Sequence, residues 1–144
     1  MEILFEVAWF GCLLFIIFVF YFIFKNTAKS YFKMPVEDVR YLIDASQKSF
    51  FVNHFSCYGK NDNILGKCFK GFKSNVPFVF KVYFLPNCLV LTMFNQYATV
   101  FERDKCKFTK KNFFSYFKIE TDTAKYNIST GFHHKFVNEW LGKY

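Results

Sequence analysis

The stretch VAWFGCLLFIIFVFYFIF, residues Val7–Phe24, contains no charged side chain and is almost entirely apolar. At a rise of about 1.5 Å per residue, a helix over this stretch and Ile3–Phe5 is long enough to cross a hydrocarbon core of about 30 Å. A signal peptide would need a basic start and a shorter apolar run, whereas this chain starts with the acidic Glu2 and Glu6. The stretch therefore predicts a single-pass membrane anchor.

The charges that flank the apolar stretch predict its orientation. Glu2 and Glu6 precede it, and basic residues follow it. Because basic residues beside a membrane helix favour the cytoplasmic side, we expect the N-terminus outside and the C-terminal domain in the cytoplasm. Residues 1–33 are interpreted as the anchor and a basic juxtamembrane helix. Three lysines, four residues apart on one helical face, are expected to contact lipid phosphates: Lys25, Lys29 and Lys33.

The rest of the chain is basic and rich in aromatic residues. Aromatic residues make up 24% of the sequence, which favours a folded core over disorder. All 19 basic residues, but only nine of the 11 acidic ones, follow the apolar stretch, which gives this part a net charge of +10. Such a surplus favours anionic partners, either lipid headgroups or an acidic protein.

Beyond the anchor, the hydrophobic pattern changes from helical to strand periodicity. Val36–Gln47 places apolar residues on one face of a short connecting helix within residues 34–48. Short apolar segments separated by turn residues then predict antiparallel strands. These strands are predicted at Ser49–Tyr58, Ile64–Phe72, Val76–Leu85, Cys88–Phe94, Tyr97–Arg103, Cys106–Thr109, Phe113–Thr121 and Lys125–Thr130. A final amphipathic helix is predicted over Phe132–Leu141.

These elements predict the fold class of residues 49–144. We expect a mainly antiparallel small β-barrel or sandwich that is closed by the C-terminal amphipathic helix. The alternative is an α+β domain with an open antiparallel sheet. At roughly 110 residues, the part beyond the anchor is long enough for one hydrophobic core.

Two passages carry a resemblance to a known family. Leu89–Thr92 leads through Asn95 to Val100–Phe101, and a Trp-containing helix follows at Phe136–Leu141. This arrangement resembles pleckstrin-homology-like domains, including bacterial and GRAM-type relatives that follow a membrane helix. Met93–Phe94 stands where that family usually has an arginine. The resemblance implies a non-catalytic binding module for headgroups or peptides at a bacterial inner membrane, and it covers at most residues 49–144.

A basic and aromatic segment around residues 67–73 is the candidate binding site. It alternates cationic and aromatic side chains, which a strand would present on its two faces. Rings that enter the lipid interface and lysines that meet phosphate would bind anionic headgroups or an acidic protein. The alternative is an ordinary edge strand with protective lysines. The candidate contact residues are Lys60, Lys67, Phe69, Lys70, Phe72 and Lys73.

No pattern in the sequence indicates catalysis, a cofactor or a metal. His54 and Cys57 lack the paired spacing of zinc ligands, and no nucleophile elbow, phosphate-binding glycine loop or HExxH motif is present. A second basic group, within residues 105–111, suits nucleic acid phosphates, but a membrane anchor disfavours that partner.

The sequence thus predicts a membrane-anchored, non-enzymatic binding or scaffolding protein. One alternative is an accessory subunit of a membrane protein complex, whose anchor packs against other helices. Another is an extracytoplasmic binding or immunity-type protein with paired cysteines. In the cytoplasm the same four cysteines would be free thiols: Cys57, Cys68, Cys88 and Cys106.

Overall fold

The chain forms two compact units, Met1–Ser30 and Tyr31–Tyr144, in a computed structural model. The structure describes residues 1–32, 34–61, 63–65, 71–76, 78–110, 116–131 and 134–142, without the side chains of residues 24, 27–30, 72, 116 and 134. The helices are α1 (Glu2–Tyr31), α2 (Val36–Asp44) and α3 (His134–Gly142). The strands are β1 (Met34–Pro35), β2 (Lys48–Phe51), β3 (His54–Gly59), β4 (Phe72–Ser74), β5 (Phe80–Phe84), β6 (Cys88–Met93), β7 (Tyr97–Glu102), β8 (Lys107–Lys110), β9 (Tyr116–Glu120) and β10 (Ala124–Ser129).

The first unit is a helical segment that belongs to α1. Its residues Glu2–Ile23 are long and apolar enough to cross a membrane, and none of this segment is buried. The predicted apolar helix is therefore confirmed. An apolar helix near an N-terminus is also the form of a signal sequence, and the helix alone carries no information about orientation.

The second unit contains two five-stranded antiparallel sheets. Sheet A has the order β1-β7-β6-β5-β2, and sheet B has the order β4-β3-β10-β9-β8. Neither sheet closes on itself, so the predicted barrel is wrong. The chain instead forms an α+β unit with open antiparallel sheets, which was the alternative prediction. The strand predicted over Ile64–Phe72 is also wrong at its start, because Ile64 and Leu65 are helical.

At a corner formed by Val52 and Asn53, the chain passes from sheet A to sheet B. The amide of Val52 donates to the carbonyl of Phe80 in sheet A, at 2.9 Å. The amide of Asn53 donates to the carbonyl of Ser129 in sheet B, at 2.8 Å. The single strand predicted over residues 49–58 is therefore two strands, because the hydrogen-bond partner changes at this corner and each sheet keeps its own edges.

The two sheets pack with their strands crossing at a steep angle. Phe80, at one end of β5, stacks on Phe55 of β3 with ring centres 4.4 Å apart. Phe84, at the other end of β5, lies 6.3 Å from Phe117 of β9. Phe55 and Phe117 belong to one cross-strand row through Ile128, so β5 runs across the strands of sheet B. This orthogonal packing places the aromatic core between the sheets.

Helix α2 covers part of the outer face of sheet A. It packs on apolar residues that point away from sheet B, among them Val90 and Ala98. The helix residues in this contact are Val36, Val39, Leu42 and Ile43. The connecting helix and its apolar face are thus confirmed.

Helix α3 closes one open side between the sheets. The Nε1 of Trp140 donates to the carbonyl of Leu85 at 2.7 Å, and this side chain is 3% exposed. Its ring lies 5.3 Å from Phe84 in sheet A and 5.3 Å from Phe108 in sheet B. Arg103 donates to the carbonyl of Trp140 at 2.6 Å and lies 3.6 Å from the centre of its ring. The predicted C-terminal amphipathic helix is therefore confirmed and contacts both sheets.

The residues that open the second unit already belong to its core. Phe32 is buried, with its ring 6.0 Å from Phe55 and 5.8 Å from Phe80. The hydroxyl of Tyr126 donates to the carbonyl of Tyr31 at 3.4 Å. Burial raises the pKa of Tyr126, so its hydroxyl stays protonated as a donor. The aromatic core thus begins directly at the boundary between the units.

Replacing Trp140 by Ala is expected to lower the free energy of unfolding by about 3–5 kcal/mol, because a large buried ring is removed. Tyr41→Ala is the matched control, since Tyr41 also lies in a nine-residue helix but is 70% exposed. That change should stay within about 0.5 kcal/mol. Urea unfolding of the full chain in detergent, followed by circular dichroism, measures both. An equal loss of unfolding free energy in Trp140→Ala and Tyr41→Ala would contradict the packing of α3 against the sheets.

Candidate functional site

The structure describes only some of the candidate contact residues in and near the basic and aromatic segment. Lys67, Phe69, Lys70 and the side chain of Phe72 lie outside the described residues. Lys73 pairs with Ser56 across β4 and β3, whereas Lys60 follows the end of β3. Four strand residues span about 13 Å, so the backbones of the two described lysines lie about that far apart along the strands, and their shared binding site stays a prediction.

The juxtamembrane lysines are also described in part. Lys25 and Lys29 are four residues apart in α1, as the predicted shared face requires. The side chain of Lys29 and the whole of Lys33 lie outside the described residues. Their predicted contacts with lipid phosphates stay a prediction.

A different basic surface lies on the outer face of sheet B. One cross-strand row contains Lys73, Ser56, Asn127, Lys118 and Thr109, and the next contains Tyr58, Lys125, Glu120 and Lys107. These residues alternate with the buried Phe117, Ile119 and Ile128, so they point away from the core. We call this surface the lysine face and define it by Lys73, Lys107, Lys118 and Lys125, with Glu120 among them.

Glu120 is the acidic residue of the lysine face. The Nζ of Lys118 lies 3.2 Å from its Oε1, and both side chains are only partly exposed. The hydrogen bond from Lys118, together with the charges of Lys125 and Lys107, holds the pKa of Glu120 below its ordinary value. Because one carboxylate faces three lysines, the surface keeps a positive field that suits an anionic partner.

A second feature lies on the outer face of sheet A, beyond the part that α2 covers. It is a cavity of about 370 Å³. Strands β2, β5 and β6, the loop before β5 and the turn between β6 and β7 contribute its walls. We call it the aromatic cradle and define it by Phe51, Phe78, Lys81, Tyr83, Thr92 and Phe94.

Aromatic rings surround one ammonium group in the aromatic cradle. The Nζ of Lys81 lies 5.1 Å from the centre of the Phe51 ring and 5.3 Å from that of Tyr83. The Phe51 ring meets the Phe78 ring nearly edge-on, with centres 5.1 Å apart and planes at 79°. Within the described ranges, the ion pairs join other residues and leave Lys81 without a carboxylate. The cradle thus combines apolar walls with one positive charge.

The described thiols and carboxylates show no catalytic or metal-binding arrangement. Among the described residues, no group of three His, Cys, Asp or Glu side chains could hold a metal ion. Cys57 and Cys88 are buried, and Cys68 lies outside the described residues. Burial raises the pKa of Cys88 and Cys106, which is the opposite of what activates a nucleophilic thiolate.

Sequence reasoning missed both surfaces. Of the lysine face, it named only Lys73 and Lys107 in basic groups, because the face depends on the register of four strands. Three of the four rings of the cradle belong to phenylalanines, and most of the 24 phenylalanines in the chain look like core residues. The turn signal at Asn95 was the one local hint that neighbouring side chains would be exposed.

Lys118→Gln is expected to raise the pKa of Glu120 toward its ordinary value of 4.5, because the hydrogen-bonded ammonium is the main cause of the lowering. A folded-state pKa below the unfolded one adds stability above the unfolded value, and this contribution is lost as the pH falls through the folded value. Carbon-13 NMR titration of the glutamate carboxyls measures the midpoint. Lys73→Gln is the control, and an unchanged midpoint in Lys118→Gln would contradict the pairing.

Comparison with known proteins found no relative of this chain. No protein-family model, no curated protein and no solved structure matches the chain. The passage that carries the resemblance to pleckstrin-homology-like domains forms β6, the following turn and β7, and Trp140 lies in α3. That resemblance therefore stays a hypothesis that rests on the chain's own residues, and any function has to be argued from the lysine face and the aromatic cradle.

Proposed function

We propose that this chain is a membrane-anchored, non-enzymatic binding protein that uses the lysine face to hold anionic lipid headgroups. The observation that carries the proposal is the outward-pointing group of Lys107, Lys118 and Lys125 around Glu120. A polar and positive sheet face offers charge contacts to several headgroups. It needs no deep pocket and no reacting group.

The apolar helix supports the anchoring part of the proposal. Glu2–Ile23 has the length and composition of a membrane span. Only residues 24–31 separate it from the buried Phe32, so chain length alone keeps the start of the domain within about 30 Å of the span. Headgroup contacts then form at a high effective concentration, and weak contacts worth about 1 kcal/mol per lysine are sufficient.

The flanking charges support a cytoplasmic domain. Glu2 and Glu6 precede the apolar segment, whereas Lys25 and Lys29 follow it. The cytoplasmic leaflet is also the one that carries anionic lipids, which is the partner the lysine face requires. Both arguments point to an N-terminus outside and a domain inside.

Anionic lipid is expected to protect Lys107, Lys118 and Lys125 from acetylation in the full chain reconstituted in nanodiscs. Headgroup phosphates would cover these amines, so N-hydroxysuccinimidyl acetate should react more slowly in phosphatidylglycerol than in phosphatidylcholine. Mass spectrometry of the peptides measures each site. Lys48, which is exposed in sheet A, is the control and should react equally in both lipids.

Two outcomes would contradict headgroup binding. Equal protection of Lys48 would mean that lipid charge acts on the whole domain and not on the lysine face. Protection that occurs in native membranes but not in phosphatidylglycerol nanodiscs would identify an acidic protein as the partner.

Leu65→Cys is expected to react with a membrane-impermeant maleimide only after cells are permeabilised, because Leu65 is an exposed residue of the domain. An introduced site is needed because Cys57 and Cys88 are buried, and replacing Cys12, Cys68 and Cys106 by Ser removes the other native thiols. Glu2→Cys is the reciprocal control and should react in intact cells. Reaction of Leu65→Cys in intact cells would reverse the orientation. Absence of residue 2 from the mature chain would show that α1 is a cleaved signal sequence.

A further inference from the structure

One ring of the aromatic cradle, that of Phe78, is held in a costly conformation that headgroup binding at the lysine face does not explain. Phe78 and Phe94 have φ angles of 69° and 52°, and Asn95 has 54°. Phe94 and Asn95 are the central residues of the tight β6–β7 turn, which the bond from the Gln96 amide to the Met93 carbonyl closes at 3.1 Å, and such a turn requires this left-handed region at both positions. For Phe78, a bulky residue in the loop before β5, this region is rarely adopted, and such strain is concentrated at functional sites. Phe78 is also 71% exposed, and Phe94 is 49% exposed.

Hydrogen bonds fix the two segments that carry these rings. The amide of Phe94 donates to the carbonyl of Val79 at 2.8 Å, which joins the β6–β7 turn to the loop before β5. The hydroxyl of Thr92 donates to the carbonyl of Lys81 at 3.3 Å on the floor of the cradle. The site is therefore formed before a ligand arrives, and binding loses little conformational entropy.

Lys81 determines the charge of the ligand. A cage of aromatic rings attracts cations, but the ammonium of Lys81 already occupies that position between Phe51 and Tyr83. A second cation would be repelled there. An anionic group complements Lys81, while the rings of Phe51, Phe78 and Phe94 complement an apolar group.

The size of the cavity limits the ligand further. Its volume of about 370 Å³ lies near the lower end of ligand sites, which suits one large side chain and a neighbouring carboxylate. A bilayer presents a flat surface, whereas this site is concave and needs a protruding ligand. The net charge of +10 on the part of the chain after the apolar stretch draws acidic partners toward it.

We propose that the aromatic cradle binds an acidic peptide segment of a partner protein. An apolar anchor side chain of that segment lies among Phe51, Phe78 and Phe94, and a neighbouring carboxylate pairs with Lys81. This site goes beyond headgroup binding at the lysine face, and each can hold without the other.

Three pentapeptides test the chemistry on the full chain in zwitterionic detergent micelles. The acetylated and amidated peptide EEFEE carries the anchor and the charge, EEAEE lacks the anchor, and KKFKK reverses the charge. Addition of EEFEE should change the amide chemical shifts of Phe78, Lys81 and Phe94. The titration should give a dissociation constant on the order of 1 mM. EEAEE should bind more weakly, and KKFKK should leave these signals unchanged.

Two substitutions separate binding from folding. Lys81→Met removes the charge, and Phe78→Gly removes an exposed ring at a φ angle that glycine adopts freely. Both substitutions should raise the dissociation constant of EEFEE roughly tenfold. Phe78→Gly should also keep or raise the melting temperature, which a purely structural role for this ring would not produce. Lys48→Met and Tyr41→Ala, which change exposed residues outside the cradle, should leave the affinity unchanged.

Several outcomes would overturn the proposal. Equal shifts from EEFEE and EEAEE, or cradle shifts from KKFKK, would exclude recognition of an anchored acidic segment. Shifts confined to Lys107, Lys118 and Lys125 would show charge binding at the lysine face alone, which leaves headgroup binding intact. Cradle signals that respond to phosphatidylglycerol nanodiscs but not to EEFEE would make the bilayer the occupant.

Discussion

Phe84 joins the three layers on which the β-rich unit depends. Its buried ring lies 6.3 Å from Phe117 in sheet B and 5.5 and 5.3 Å from Phe136 and Trp140 in α3. Because β5 crosses the strands of sheet B, this end of β5 is where both sheets and the last helix meet. The crossing decides which sheet faces are buried between the layers. The opposite faces are left for α2, for the aromatic cradle and for the lysine face.

The helices and most strands could be predicted because their patterns are local. The apolar face of α2 is visible in the spacing of Val36 and Val39, and α1 is visible in an uncharged run. The corner at Val52–Asn53 was not predictable, because uninterrupted strand-forming residues give no sign that the hydrogen-bond partner changes. At Ile64–Leu65 a strand was predicted, but these residues are helical. The error arises because β-propensity depends on the surroundings of a residue more than on its type.

The two surfaces were hidden for different reasons. The lysine face exists only once β8, β9 and β10 are in register, because Lys107, Lys118 and Lys125 each come from a different strand. The cradle was hidden because Phe78 and Phe94 look like core residues in a chain with 24 phenylalanines. The left-handed backbone of Phe78 contradicts local preference, and such conflicts are expected where function competes with stability.

The topology of sheet B has a consequence for the order in which the chain is made. Strands β5, β6 and β7 are joined by short turns and can pair as they leave the ribosome, whereas β3 pairs with β10 and must wait for it. Until β10 is available, sheet B lacks the strand that joins β3 to β9, and the inner face of sheet A, with Phe80, Phe84 and Phe101, can be covered only in part, by β3 and β4. A nascent chain at this stage therefore presents aromatic rings to its surroundings, and it is prone to aggregation until β10 has left the ribosome and paired with β3.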